Sequence, residues 1–182
     1  MEQHLKLLAE SGRVLARVHK EFLAPPTSDA AAEFHQLRLQ AAIFNYDVCR
    51  AFVGLWVMVP EGFSEKVALK DLAHKLYEYD AALSGRLVGR ILKLAKLRGI
   101  TMDQSQLRVE KQKWKAELSK LRAWSALRNQ TSGHYGHDIR GQASLLEALN
   151  RDDVKSVAIG FMSFNNFVCK LLAKTGARRN GP

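Results

Sequence analysis

The segment 154–172 reads VKSVAIGFMSFNNFVCKLL and carries the most regular apolar pattern of the chain. Its stripe residues recur every three or four positions, as they do on one face of an α-helix. Asn150 and Asp153, just before this stripe, are residue types that cap and stabilise a helix N-terminus. We therefore predict a long amphipathic helix from about Asn150. Its inward face comprises Val154, Val157, Ala158, Phe161, Phe164, Asn165, Val168, Leu171 and Leu172.

Four other stretches show the same helical spacing, and no stretch shows the alternation of a β-strand. Prolines, glycines and capping residues separate them, with Ser28 or Asp29, Ser64, and Thr101 or Asp103 as the expected N-caps. The predicted helices cover 2–23, 29–59, 64–99 and 101–127, and a shorter piece covers 142–149. We expect a single all-α domain over 1–182, a bundle of about five long or moderate helices with short connections, in which 174–182 is a frayed basic tail.

The composition indicates a soluble globular protein with an anionic partner. The 182 residues suffice for one hydrophobic core, and 47% of them are hydrophobic. The net charge of +10, from 28 basic and 18 acidic residues, favours nucleic acid first and an acidic membrane surface second. The alternative is a solvated basic surface that has no dedicated partner.

The cysteines and the apolar runs indicate a cytoplasmic protein. Cys49 and Cys169 each lie within an apolar run, which favours buried thiols over a disulfide. The first six residues lack the apolar core of a secretory signal. The longest apolar run, 51–60, has about half of the ~20 residues needed to cross a bilayer. We expect no membrane association.

A row of basic side chains lies beside the apolar stripe of the predicted helix 64–99. Its members are Arg86, Arg90, Lys93 and Lys96. Such a row can bind a nucleic-acid backbone, and we name Arg86, Arg90 and Lys93 as candidate contacts. It can equally be the solvated flank of a core helix.

The segment 127–138, LRNQTSGHYGHD, concentrates chemically able side chains on a chain that otherwise has the pattern of plain amphipathic helix. Arg128 follows Trp124 by four positions and Leu121 by seven. On an unbroken helix this spacing places Arg128 on or near the inward face. A guanidinium near a core needs partners, and we therefore expect Arg128 to be more than a surface charge.

Arg128 and His134 can act together on a phosphodiester. A histidine can take a proton from a ribose 2′-hydroxyl or deliver one to a leaving oxygen. An arginine offers a planar fork of donors to the phosphate. Asn129 and Tyr135 can position either group by hydrogen bonds. Such a site needs no metal and no cofactor.

Arg128-Asn129 followed by His134 resembles the Arg-x(4–6)-His motif of the HEPN superfamily, in which a polar residue often follows the arginine. The all-α layout is also similar. The resemblance implies a metal-independent ribonuclease, often a toxin of a toxin–antitoxin or other defence system, that dimerises so that two motifs face one cleft. By this resemblance Arg128 and His134 are catalytic and Asn129 is supporting. His137, a second histidine, is an alternative to His134, and an antitoxin is a possible protein partner.

Two other interpretations of the segment remain. His134, His137 and Asp138 have the chemistry of zinc or iron ligands, with a fourth ligand drawn from His74 or His35. Alternatively the segment is structural, with Arg128 bonded at a helix end and the glycines supplying positive φ. The protein is then a non-catalytic helical binding or assembly module with an acidic or nucleic-acid partner.

Overall fold

The computed structural model of the protein describes residues 2–100, 104–131 and 138–176, and within these ranges it contains helices and no strands. The predicted all-α class is confirmed. These described ranges hold nine α-helices and one π-helical segment, so the prediction of about five helices is wrong. The helices are α1 (Glu2–Leu23), α2 (Asp29–Val57), α3 (Phe63–Ala82), α4 (Val88–Leu97), α5 (Gln104–Lys113), α6 (Lys115–Ala123), α7 (Ser125–Thr131), α8 (Ile139–Glu147) and α9 (Arg151–Gly176), and the π-segment Leu83–Leu87 joins α3 to α4.

The helix count differs because two predicted helices are subdivided. One break, between α5 and α6, falls at Trp114, with φ of −110° and ψ of 15°. The other, between α6 and α7, falls at Trp124, with φ of −87° and ψ of 5°. Each tryptophan N–H bonds the carbonyl three residues back instead of four, at 3.2 Å and 3.1 Å. This tightening ends one helix and starts the next. Tryptophan is an ordinary residue within helices, so neither position carries a local signal of a break.

Two of the predicted helix N-termini are confirmed by side-chain hydrogen bonds. The Ser28 hydroxyl accepts from the N–H of Ala31 at 3.2 Å, at the start of α2. Before α9, the Asn150 side-chain oxygen accepts from the N–H groups of Asp152 and Asp153 at 2.8 Å and 3.0 Å. Both residues satisfy helix donors that have no partner within the helix.

The N-cap predicted for α3 is wrong. The helix begins at Phe63, one residue before Ser64, and Gly62 occupies the capping position with φ of 58°. Glycine adopts this left-handed conformation without steric cost, which explains why the helix begins there. The other predicted caps, Thr101 and Asp103, lie outside the described residues.

The central layer consists of α2, α3 and α9, which contact one another, while α1 packs along α2. Helices α4 and α6 cover α9, and α7 and α8 lie against α3. The rings of Phe44, Tyr79 and Phe161 meet where α2, α3 and α9 converge. The Tyr79 hydroxyl donates to the side-chain oxygen of buried Asn165 at 2.5 Å, so the polar group on the predicted stripe is satisfied. Burial raises the pKa of Tyr79.

Trp114, at the break between α5 and α6, packs directly against Gly160 of α9. A methyl group built on Gly160 would lie 2.9 Å from the ring carbon Cε3 of Trp114. The absence of a side chain at Gly160 therefore allows the indole to approach the backbone of the core helix. This contact is one of those by which α5 and α6 pack against α9.

Replacing Gly160 with alanine is expected to destabilise the protein by about 1–3 kcal/mol, because the new methyl group must displace the indole of Trp114. Urea unfolding of both proteins measures the difference. The matched control is Gly54→Ala in α2, where an added methyl group meets nothing within 4 Å. That change should stabilise the helix by about 0.5–1 kcal/mol. Equal effects at the two positions would contradict the proposed contact.

The cysteines are free thiols, as predicted, with Cys49 buried and Cys169 partly exposed. Burial raises the pKa of the Cys49 thiol. It also raises the pKa of the Cys169 thiol, to about 11. Within the described residues one segment, Arg151–Ala173 of α9, is long and apolar enough to cross a membrane. Half of its most apolar window is buried inside the bundle, as expected of a core helix.

Candidate functional site where α3 meets α7

The candidate site lies where α7 packs against α3. Leu127 of α7 is buried, and Arg128 and Thr131 of the same helix contact α3. His74 and Glu78 are four residues apart on α3, so they share one face of that helix. Four polar side chains, two from each helix, therefore meet in pairs where α3 and α7 pack together.

Arg128 forms an ion pair with Glu78. Its Nε lies 2.7 Å from Glu78 Oε1, and its Nη1 donates to the side-chain oxygen of Asn129 at 3.2 Å. The hydrogen bond to Glu78 raises the pKa of Arg128. The two paired side chains remain 44% and 58% exposed. The guanidinium is thus oriented but open to solvent.

The expectation that Arg128 faces inward is wrong. The break at Trp124 shifts the phase of α7 relative to α6, and Trp124 and Leu127 take the buried positions. Arg128 lies next to Leu127 and is left at the edge of the helix pair. The charge therefore needs no buried partner, and Glu78 meets it at the surface.

His74 is the histidine that the fold brings to this site. Its Nε2 lies 3.0 Å from the Thr131 hydroxyl and 3.4 Å from the Leu127 carbonyl. The Thr131 hydroxyl donates its single proton to Leu127 O at 2.6 Å. We therefore assign the proton of the neutral ring to Nε2, which leaves Nδ1 as an acceptor. Burial lowers the pKa of His74, which favours the neutral ring.

The lowered pKa of His74 predicts a loss of stability in mild acid. The unfolded chain binds the proton as the pH falls through about 6.5, whereas the folded chain binds it only at lower pH. The free energy of unfolding should therefore decrease as the pH falls below about 6.5. In His74→Gln this part of the pH dependence should disappear. Chemical unfolding between pH 5 and 8 measures it.

The matched control for this prediction is His19→Gln, which removes an exposed histidine on α1. It should retain the pH dependence of the wild-type protein. If His74→Gln and His19→Gln give the same pH profile, the buried ring is not responsible and the prediction is wrong. Comparing the variants removes the contribution of carboxylates, which is common to all three proteins.

The remaining predicted site residues, His134, Tyr135 and His137, lie outside the described residues. The chain is described again from Asp138, whose carboxylate accepts from the N–H of Gly141 at 2.8 Å and caps α8. This cap accounts for Asp138 as a structural residue. In the ranges 2–100, 104–131 and 138–176 no group of three or more His, Cys, Asp or Glu side chains could hold a metal ion.

The predicted basic row on the π-segment and α4 contains side chains with different surroundings. Arg90 donates to both carboxylate oxygens of Glu33, at 2.7 Å and 2.8 Å, and so joins α4 to α2. The same pair holds the pKa of Glu33 below its usual value. Arg86 and Lys93 are exposed. Of the three candidate contacts, Arg90 therefore has a clear structural role.

Glu78 was not among the predicted site residues, and His74 was suggested only as a fourth metal ligand. The two residues lie 50 and 57 positions before their partners Arg128 and Thr131. Only their spacing of four on a helix could have indicated a shared face. His35, the other suggested ligand, packs beside Phe34 on α2.

Comparison with known proteins gives no relative from which a function could be carried over. No family model, no curated protein and no solved structure matches the chain. The arrangement of side chains and the motif resemblance are therefore the basis for a functional proposal.

Proposed function

We propose that the protein is a HEPN-like ribonuclease that binds RNA and cleaves its phosphodiester bonds without a metal ion. The observation that supports this proposal is the position of Arg128. Its guanidinium is oriented by Glu78 and Asn129, is open to solvent, and belongs to a residue six positions before His134. An oriented and accessible guanidinium is suited to binding a phosphate.

RNA brings its own nucleophile, the ribose 2′-hydroxyl, so the protein needs to move protons and stabilise charge. His134 takes the proton as the 2′-oxygen bonds to phosphorus, and the bond from phosphorus to the 5′-oxygen breaks. The departing 5′-oxygen takes a proton from water, and the products are a 2′,3′-cyclic phosphate and a 5′-hydroxyl. Arg128 stabilises the negative charge that develops on the phosphoryl oxygens.

The neighbouring side chains have positioning roles in this proposal. Glu78 holds Nε of Arg128, which fixes the plane of the guanidinium. His74 bonds Thr131, the last described residue before the segment that contains His134. Tyr135 and His137 are supporting residues, with His137 as the alternative proton carrier. Precise placement of such groups governs how fast the bound substrate reacts.

The dimer and the protein partner follow from the motif resemblance, the cytoplasmic location follows from the cysteines and the apolar runs, and all three remain part of the proposal. The protein would act in the cytoplasm as a homodimer whose two motifs face one RNA. A toxin or defence role would require control by an antitoxin or another protein. Mass measurement of the purified protein tests the dimer independently of its activity.

A second candidate is a non-catalytic helical module that binds an acidic or nucleic-acid partner. The Glu78–Arg128 pair also favours this candidate, since an arginine whose charge is matched at a helix surface is accounted for structurally. The two candidates differ in whether the wild-type protein turns over RNA.

The deciding experiment incubates the wild-type protein with a mixed pool of RNA oligonucleotides in EDTA. The ribonuclease proposal expects cleavage with 2′,3′-cyclic phosphate ends, identified by mass spectrometry. Oligonucleotides of the same sequences with 2′-O-methyl groups should remain intact, because their nucleophile is blocked. Cleavage of both pools, or activity that needs an added metal, would overturn the proposed mechanism. Binding without cleavage would favour the helical module.

A further inference from the structure

A groove lined by basic side chains runs along α5 and α6 on the side that faces α3. It encloses about 490 Å³. Its lining includes Asp80, Arg108, Lys111, Lys115, Leu118 and Arg122. Four of these six side chains are cationic and one is acidic, so the groove attracts anions.

The cations come from two successive helices. Arg108 and Lys111 belong to α5, Lys115 and Arg122 belong to α6, and all four line the same groove although the break at Trp114 separates the two pairs. At 1.5 Å per residue, Arg108 and Lys111 are about 4.5 Å apart along α5, and Lys115 and Arg122 are about 10.5 Å apart along α6. Cations at these separations can meet more than one phosphate of the same strand.

Three of these cations are available for a ligand. Among the described residues, Arg108, Lys115 and Arg122 form no ion pair. Their neighbours Lys113 and Lys120, on the same helices, are paired with Glu110 and Asp153. Ion pairs thus neutralise two lysines that do not line the groove, whereas within the described ranges Arg108, Lys115 and Arg122 line it without one. Unmatched cations can exchange their counterions for phosphates.

The groove lies next to the candidate site along the chain. Asp80 lies two residues after Glu78 on α3, and Arg122 lies six residues before Arg128. Helix α7, which carries Arg128, begins directly after Trp124 at the end of α6. The groove and the Glu78–Arg128 pair therefore belong to the same two parts of the fold.

We propose that the groove along α5 and α6 binds the sugar–phosphate backbone of single-stranded RNA and leads it to Arg128. The choice of RNA rests on the proposed function, whereas the polyanionic character of the ligand follows from the groove itself. The described lining residues include no aromatic ring on which a base could stack. Binding should therefore depend on phosphate contacts, with little sequence preference.

The test measures binding of a fluorescent 2′-O-methyl oligonucleotide, which keeps the phosphates and cannot be cleaved by 2′-oxygen attack. Fluorescence anisotropy gives Kd over a range of salt concentrations. The double substitution Lys115→Gln and Arg122→Gln should raise Kd about tenfold near 0.1 M salt. It should also reduce the slope of log K against log salt by about 1.4, or 0.7 for each lost phosphate contact. Circular dichroism and thermal unfolding check that the variant is folded.

The matched control is Arg17→Gln with Lys20→Gln, which removes the same charges from exposed positions on α1. This control should change Kd by less than about twofold, because α1 packs along α2, whereas α5 and α6 pack against α9. A second variant, Lys115→Arg with Arg122→Lys, keeps the charges and should bind as the wild type does. Equal losses in the α1 control and the groove variant would reveal a net-charge effect and overturn the proposal.

Other outcomes also decide the question. Undetectable RNA binding by the wild type, or unchanged binding by the groove variant, would overturn the groove proposal. If the groove variant loses binding to polyglutamate and keeps binding to RNA, the ligand is an acidic protein and the proposal is wrong. Because this oligonucleotide cannot be cleaved, a failure of catalysis leaves the result intact. If the wild-type protein cleaves RNA and the groove variant binds the oligonucleotide normally, the groove proposal is wrong and the ribonuclease proposal stands.

Discussion

Replacing His134 with alanine is expected to lower RNA cleavage in EDTA by about 10²–10⁴-fold, the usual contribution of a positioned general acid or base. The 2′-hydroxyl then has no group to accept its proton as it attacks phosphorus. The thermal unfolding temperature should stay close to that of the wild type. Initial rates on a defined RNA, measured with unfolding curves for the same preparations, check both parts.

The matched control for this prediction is His137→Ala, three residues further along the same segment. If His134 carries the proton, His137→Ala should retain most of the activity. The opposite result, loss with His137→Ala and retention with His134→Ala, would identify His137 as the working histidine. Equal and partial losses in both variants would contradict a single proton carrier.

Variants at Arg128 and Glu78 separate catalysis from structure. Arg128→Lys keeps the positive charge but loses the planar fork, so cleavage should fall although the charge remains. Glu78→Gln keeps a hydrogen-bond acceptor beside Nε and should reduce activity less than Arg128→Ala does. If Arg128→Ala unfolds the protein and leaves the specific activity of the folded fraction unchanged, the Glu78–Arg128 pair is structural.

Much of the helical layout was predictable because it depends on local signals. The apolar stripe of α9 and the capping positions Ser28 and Asn150 are visible in short stretches of sequence, and the structure confirms them. The breaks at Trp114 and Trp124 were not predictable in this way, since tryptophan is an ordinary residue within helices and signals no break. Their positions depend on tertiary packing, as the contact between Trp114 and Gly160 illustrates.

The candidate site was less predictable because its contacts join distant parts of the chain. The sequence shows which residues are basic, but not which of them meet a carboxylate from another helix. Arg90 lies in the predicted RNA-binding row and is held by Glu33, 57 positions away. Arg122, which the sequence analysis did not single out, lines a groove. Contacts between distant helices thus decide which basic side chains pair with a carboxylate of the protein and which can bind a ligand.

Replacing Phe161 with alanine is expected to cost about 3–5 kcal/mol, among the largest effects of a single core substitution. Phe161 is fully buried in α9, and its ring centre lies 5.2 Å from that of Phe44 and 5.0 Å from that of Tyr79. Removal of the ring leaves a cavity at the junction of α2, α3 and α9. The thermal midpoint should fall by roughly 6–20 °C, at about 2–4 °C for each kcal/mol in a chain of this size.

The matched control is Ile159→Ala, two residues earlier on the same helix, where the side chain is 41% exposed. It removes an apolar group without opening a core cavity, and its cost should stay within about 1 kcal/mol. The comparison also tests the placement of α9, whose composition alone would permit a membrane span. If both variants unfold at the wild-type temperature, Phe161 does not lie at the centre of a helical core. A large loss confined to Phe161→Ala would instead agree with α9 as the buried helix on which α2 and α3 pack.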